Sequence, residues 1–224
     1  MTEENKDCWL VGQCNHCDCD RFCLRRYKLE YLYNEANVPL KQRLRVSLRP
    51  DRDNTDRSQF VELKKIEDGI EGFIERGENL YIHSTVCGNG KTSWALRRVQ
   101  AHLNNVWFNS GLSCRALFIH VPTFLLAIKE NISNRLEYGQ HIKDNMLTAD
   151  IVVWDDIGNK SSTQFESDTL LSMIDGRLSI GKSNVFTSNL NSGEMHECLG
   201  DRLTSRIINK SIDIELKGMD KRGL

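Results

Sequence analysis

The sequence lacks an excess of charge of either sign. Its 224 residues carry 30 Lys and Arg against 31 Asp and Glu, a formal net charge of −1. A protein that grips duplex nucleic acid through salt-dependent phosphate contacts has a strong positive balance. That class is excluded for the chain as a whole, and any nucleic-acid contact must come from a local patch or from small patches aligned across several subunits. Also missing is any run near the roughly 18 apolar residues that a membrane-spanning helix needs. The first residues, Met1 to Asp7, are polar and mixed in charge, unlike a secretory leader. These absences lead to the expectation of a cytoplasmic protein with no membrane partner. No internal repeat or low-complexity tract is visible. What remains, 39% hydrophobic and 27% charged residues, is ordinary for a globular chain holding one full domain and a small appendage.

Eight cysteines are present, unevenly spread. Cys8, Cys14, Cys17, Cys19 and Cys23 crowd the N-terminus, whereas Cys87, Cys114 and Cys198 stand singly and read as core or loop residues. With no secretion signal, such a cluster favours metal over disulfides. Four thiolates around Zn²⁺ would fold a segment too short to build its own core. Five cysteines exceed the four positions, and His16 lies among them, so the ligand set stays open; free thiols and an iron–sulfur cluster are the alternatives.

Helical spacing of Leu24, Tyr27, Tyr31 and Leu32 predicts a helix after the cysteines, followed by a polar linker from Pro39 to Arg57. Residues 1–57 are therefore expected to be a zinc-binding partner-recognition module with linker, and residues 58–224 a second unit. In that unit one helix is predicted over Ser58 to Arg76, burying Phe60, Leu63, Ile66, Ile70 and Phe73. Strands are predicted at 79–84, 116–121, 151–154, 184–188 and 212–216, with a helix at 91–103 and further helical segments separating most of the strands. Strands that are apolar on both faces and alternate with helices define an α/β fold, a parallel sheet between helices.

The segment Cys87-Gly88-Asn89-Gly90-Lys91-Thr92-Ser93 falls where a strand ends and a helix begins. Gly88 and Gly90 remove side chains so that backbone N–H groups can close on phosphate oxygens, and the helix adds its N-terminal partial charge. Lys91 would reach the terminal phosphates of a nucleotide and Thr92 would offer its hydroxyl to Mg²⁺. Thr85 occupies the position of the first glycine in the usual phosphate-loop pattern. Downstream, an apolar strand ends in Asp155-Asp156. A buried parallel strand delivers such residues to the ligand crevice, where Asp155 can hold the Mg²⁺ and Asp156 can polarise an attacking water. Together these predict a Mg²⁺-dependent ATPase.

The same residues resemble the AAA+ ATPases of the DnaC/DnaI/IstB group of helicase loaders and transposition helpers, over about residues 58–224. Asp155-Asp156-Ile157-Gly158 is similar to that group's Walker B ending, and Thr187-Ser188-Asn189-Leu190 to its sensor 1, which implies that Asn189 orients water or touches the γ-phosphate. Gly200 to Ile207 resembles box VII, which makes Arg206 the candidate arginine finger acting on a neighbouring subunit, with Arg202 one turn earlier. Asp220-Lys221-Arg222 is similar to the group's C-terminal ending, and little sequence is left for a helical lid. The resemblance implies a homo-oligomer when ATP is bound, a replicative DNA helicase and single-stranded DNA as partners, and a bacteriophage-type version with the cysteine head as helicase grip. Lys129, Arg135 and Lys143 are the candidate DNA contacts. A transposition helper acting on duplex DNA, or a zinc adaptor that binds nucleotide without turnover, are the other readings, and Asp156 in place of the usual glutamate bears on the last.

Overall fold

The computed structural model describes residues 8–10, 14, 23–44, 47–50, 55–129, 133–158 and 163–221, the side chains of 133–136 excepted. Helices α1 (Leu24–Glu35), α2 (Leu40–Arg43), α3 (Arg57–Asp68) and α4 (Ile70–Glu75) precede the first strand, β1 (Asn79–His83). Then follow α5 (Lys91–Val106), β2 (Ala116–His120), α6 (Val121–Lys129), α7 (Ser133–Asn145), β3 (Ile151–Asp155) and α8 (Gln164–Ser179). The chain continues through β4 (Ser183–Ser188), α9 (Ser192–Leu199), α10 (Asp201–Ile208) and β5 (Ile212–Glu215).

Among the described residues the five strands form one parallel sheet in the order β2-β3-β4-β1-β5. Alternate residues of each strand face opposite sides, and the core divides accordingly. Leu80, Ile82, Phe118, Val153 and Val185 pack under α1, α3, α4 and α5. Tyr81, Leu117, Val152, Trp154 and Phe186 pack under α6 to α10. Burial on both faces is why the strands read as nearly continuous apolar runs.

Two sequence expectations are corrected. The helix expected over Ser58 to Arg76 is two helices, broken at Gly69, where the low helix propensity of glycine lets the chain turn. Val121, expected to end β2, starts α6, with Pro122 at a position where a missing N–H costs nothing. The described part of the N-terminal segment packs onto the sheet. Leu29, Leu32 and Tyr33 of α1, with Cys8, Leu10 and Cys14, join the core cluster that contains α5 and β1. The Phe118 amide donates to the Ala36 carbonyl at 2.8 Å, so the chain leaving α1 covers the outer strand β2.

Candidate nucleotide site

The carboxyl ends of β1, β3 and β4 open into a cleft of about 540 Å³. Its floor is the loop from β1 to α5. Gly88 and Gly90 have φ of +76° and +103°, and Gly90 caps α5 in the left-handed conformation. Alternation of this kind turns successive amides toward one point, an anion cradle at a helix N-terminus. Lys91, the first residue of α5, is buried, and its ammonium folds back over the loop. It donates to the carbonyls of Ser84 at 3.2 Å and Val86 at 2.9 Å and to Asn89 Oδ1 at 3.4 Å. Asn89 is buried and donates to Ser84 Oγ at 2.7 Å, which ties the loop to the end of β1.

The acidic wall comes from β3. Asp155 Oδ1 accepts from Thr92 Oγ1 at 2.9 Å and from Thr187 Oγ1 at 2.7 Å. Desolvation raises the Asp155 pKa; the two hydroxyl bonds and His120 oppose the rise, and Asp156 adds to it. A divalent cation seated beside Thr92 would relieve that burden, so this pair of groups suits Mg²⁺ held by Thr92 with Asp155 behind it. Asp156 has φ of +61°, a left-handed position that aspartate tolerates better than most residues. Its amide donates to Thr187 Oγ1 at 2.9 Å, and its carboxylate accepts from Asn189 Nδ2 at 2.8 Å. His120 Nε2 lies 4.0 Å from the other Asp156 oxygen. The turn also needs Gly158, with φ of +83°, where a Cβ would come within 3.0 Å of Leu190 and 3.1 Å of Met195 Sδ.

Lys91, Thr92, Asp155, Asp156 and Asn189 are thus brought together, along with Cys87, Gly88, Asn89, Gly90 and Ser93. Arg206 is not. It lies on α10, away from the cleft, and its Nε pairs with Asp175 Oδ1 at 2.8 Å. Lys129 pairs with Glu166 at 2.9 Å, and Lys143 is exposed on α7. The Arg135 side chain, Cys17, Cys19, His16 and Arg222 lie outside the described residues. Cys8 and Cys14 are buried, and Cys14 Sγ accepts from Arg25 at 3.6 Å. Cys23 caps α1. Among the described residues no three His, Cys, Asp or Glu side chains gather as a metal site. The sequence reading missed Thr187 and His120. His120 ends β2 and Thr187 is one residue from the end of β4, so the argument that singled out Asp155 would have found them.

A glycine-rich strand-to-helix loop that meets an acidic strand end, with Thr92 bonded to Asp155, defines a P-loop ATPase, here on a parallel AAA+ sheet. Residues 49–219 match the family of IstB-like ATP binding proteins, and the chain belongs to that family. The fold is similar to that of solved structures at low identity. The crystal structure of the DnaC helicase loader matches with a TM-score of 0.58 and 18% identity, over 76% of this chain and 94% of that one. A putative primosome component from Streptococcus pyogenes serotype M3 gives 0.60 and 18%, covering 86% and 98%. DnaI gives 0.55 and 20%, covering 82% and 94%. No curated protein matches the chain, and no described helix is long and apolar enough to cross a membrane.

Proposed function

We propose that the chain is an ATP-dependent helicase loader, which binds a replicative DNA helicase and delivers it to single-stranded DNA in the cytoplasm. The observation that carries the reading is the cleft itself. Thr92 and Asp155 are already joined, and Asn189 already holds Asp156 at the edge of the same space. Support for the loader reading comes from the fold shared with DnaC and DnaI over nearly the whole of those solved chains.

In this reading the loop amides and Lys91 bind the triphosphate, and Lys91 exchanges its carbonyl partners for phosphate oxygens. Thr92 and Asp155 hold Mg²⁺, which neutralises charge on the phosphates. Asp156, fixed by Asn189 and by its own amide, polarises the attacking water. Arg206 serves as the finger for a neighbouring copy, which fits its position outside its own cleft and makes turnover depend on assembly. The expected result is ATP hydrolysis stimulated by single-stranded DNA, with helicase retained on the protein in a pull-down. Normal basal turnover without either response counts against loading.

The family match favours a second reading, a transposition helper acting on duplex DNA. Stimulation by duplex rather than single strands, with a transposase instead of a helicase retained, would select it.

Zinc at the cysteine head belongs to the loader reading. Its expected ligands are four of Cys8, Cys14, Cys17, Cys19 and Cys23, of which Cys17 and Cys19 lie outside the described residues. One zinc per chain by elemental analysis is the expected result, and a metal-free chain overturns the zinc reading.

A further inference from the structure

We propose that Lys221 and Asp56 form a clasp that sets the outer side of the phosphate loop for nucleotide, so that both are positioning residues for ATP. The inference deepens the nucleotide reading of the cleft and rests on it.

The chain after β5 does not leave the molecule. The Leu216 amide donates to the His83 carbonyl at 2.8 Å and continues the β5 pairing by one residue. Residues 216–221 then run along the phosphate loop. The buried side chain of Asn89 donates to the Leu216 carbonyl at 3.2 Å, and the Lys221 amide donates to the Gly88 carbonyl at 3.0 Å. Asp220 packs so closely on Gly88 that a Cβ there would lie 1.9 Å from its Oδ1. Two neighbouring residues of the cradle are therefore held by this tail, on the side where Thr85 replaces a glycine.

The far end of the tail is fixed by charge. Lys221 Nζ donates to Asp56 Oδ2 at 3.0 Å and to the Arg49 carbonyl at 3.0 Å. Asp56 is buried and immediately precedes α3, and Lys221 is mostly covered. The pair thus joins three pieces of chain, the segment around Arg49, the start of α3 and the tail, directly beside Gly88. Ser47, Leu48, Arg49 and Lys221 also line the cleft. With the clasp shut, the Gly88 carbonyl is engaged and the loop has one conformation on this side. With it open, the competent loop is only part of the population, and the apparent Kd for ATP rises in proportion.

An exposed ion pair is worth a factor of about five or less, and breaking a fully buried one a hundredfold or more. For this partly covered pair we expect Lys221→Met to raise the Kd for a fluorescent ATP analogue about tenfold. Lys221→Arg should restore most of the affinity. Asp56→Asn should weaken binding similarly, and the double variant Lys221→Met/Asp56→Asn should be no weaker than either single one. Turnover at saturating ATP should change little, because the acid wall is untouched. Lys91→Ala, measured alongside, reports on the cleft itself. If Lys91→Ala binds normally, the nucleotide reading fails and the clasp with it. If Lys91→Ala loses binding while Lys221→Met binds like the native protein, or the two clasp variants add fully, the clasp alone is overturned. A matched loss of melting temperature and of saturating turnover would mark a merely structural tail and overturns it too.

Discussion

The two ends of the sheet bury polar groups for opposite purposes. At the carboxyl ends of the strands, Lys91 rests on three oxygens of its own loop, and Thr92 and Thr187 share one oxygen of Asp155. At the amino ends, the fully buried Arg177 donates to Asn184 Oδ1 at 2.8 Å, Ala149 O at 3.0 Å, Ser183 O at 2.6 Å and the Met146 carbonyl. Asn184 in turn is tied to Asn79 and Trp154. The partners of Arg177 are backbone and amide groups inside the core, with nothing to replace them. Those of Lys91 sit at the mouth of a cleft, where a phosphate can take their place. On the proposed nucleotide reading, a buried charge is thus a fixture at one end and an exchangeable donor at the other.

Arg177→Met is the strongest way to break this contrast. It removes a guanidinium and leaves several buried acceptors without donors, which should cost about 3–5 kcal/mol of stability. Thermal melts should show a fall on the order of 10 °C, while ATP affinity per folded molecule stays near the native value. A loss under about 1 kcal/mol would mean that the amino-end network is no more binding than a surface one. Lys91→Ala should do the reverse. Nucleotide affinity, read by titration, should drop about a hundredfold or more as the charge facing the phosphates is lost. Stability should move by about 1 kcal/mol or less. Equal damage to both properties would erase the distinction between the two ends.

The carboxyl end was far more legible in the sequence than the amino end, and for a physical reason. Gly88, Gly90, Lys91 and Asp155 are residue types with few structural uses in that order, and they adjoin apolar runs whose direction is clear. Arg177 looks like any charged residue on a helix; only its partners from two other segments, around Met146 and Ser183, show that it is buried. The same holds for Asp56 and Lys221, 165 residues apart in sequence. Strand positions were readable from apolar runs to within one residue. The break at Gly69 and the start of α6 at Val121 were not, because period alone does not mark where a helix ends. The folding of α1 onto the same core as α5 was equally hidden, since its apolar stripe does not say what it faces.

A smaller effect tests the amino end by pH. His102 is buried on α5 between Glu71 at 3.0 Å and Asp150 at 3.2 Å, and Asp150 also pairs with Arg115 at 2.6 Å and Lys182 at 3.3 Å. Burial works against the imidazolium, but the hydrogen bonds it donates to Asp150 and Glu71 outweigh it and raise the His102 pKa. A raised histidine contributes its full stability below the unfolded value of about 6.5 and loses it as pH climbs through the folded value. For Asp150, burial is likewise outweighed, by His102 and Arg115, and its pKa is lowered; that contribution is present above about 4 and fades as acid reaches the folded value. Denaturant titrations should therefore show native stability declining above about pH 6.5, and His102→Gln should flatten that decline. A decline of the same slope in the variant would assign it to other groups.

The least effect is expected of Asp175, which belongs to an exchangeable pair on the surface. If Arg206 reaches a neighbouring copy's phosphate, it must first leave Asp175, on α8. Both side chains are at least a third exposed, 51% for Arg206 and 36% for Asp175, so their attraction is worth about 0.2–1 kcal/mol, a factor of five or less. Asp175→Asn should then lower the protein concentration that gives half-maximal ATP turnover by two- to fivefold and leave the maximal rate unchanged. Arg206→Ala should abolish the concentration-dependent turnover altogether, since a finger is worth about a thousandfold or more. The two variants together separate the roles. A silent Arg206→Ala removes the finger, and a lost finger with an unmoved half-point in Asp175→Asn leaves the finger but makes Asp175 only a neighbour. A lowered half-point would show that the surface pair, like the loop carbonyls around Lys91, holds a cation only until a phosphate arrives.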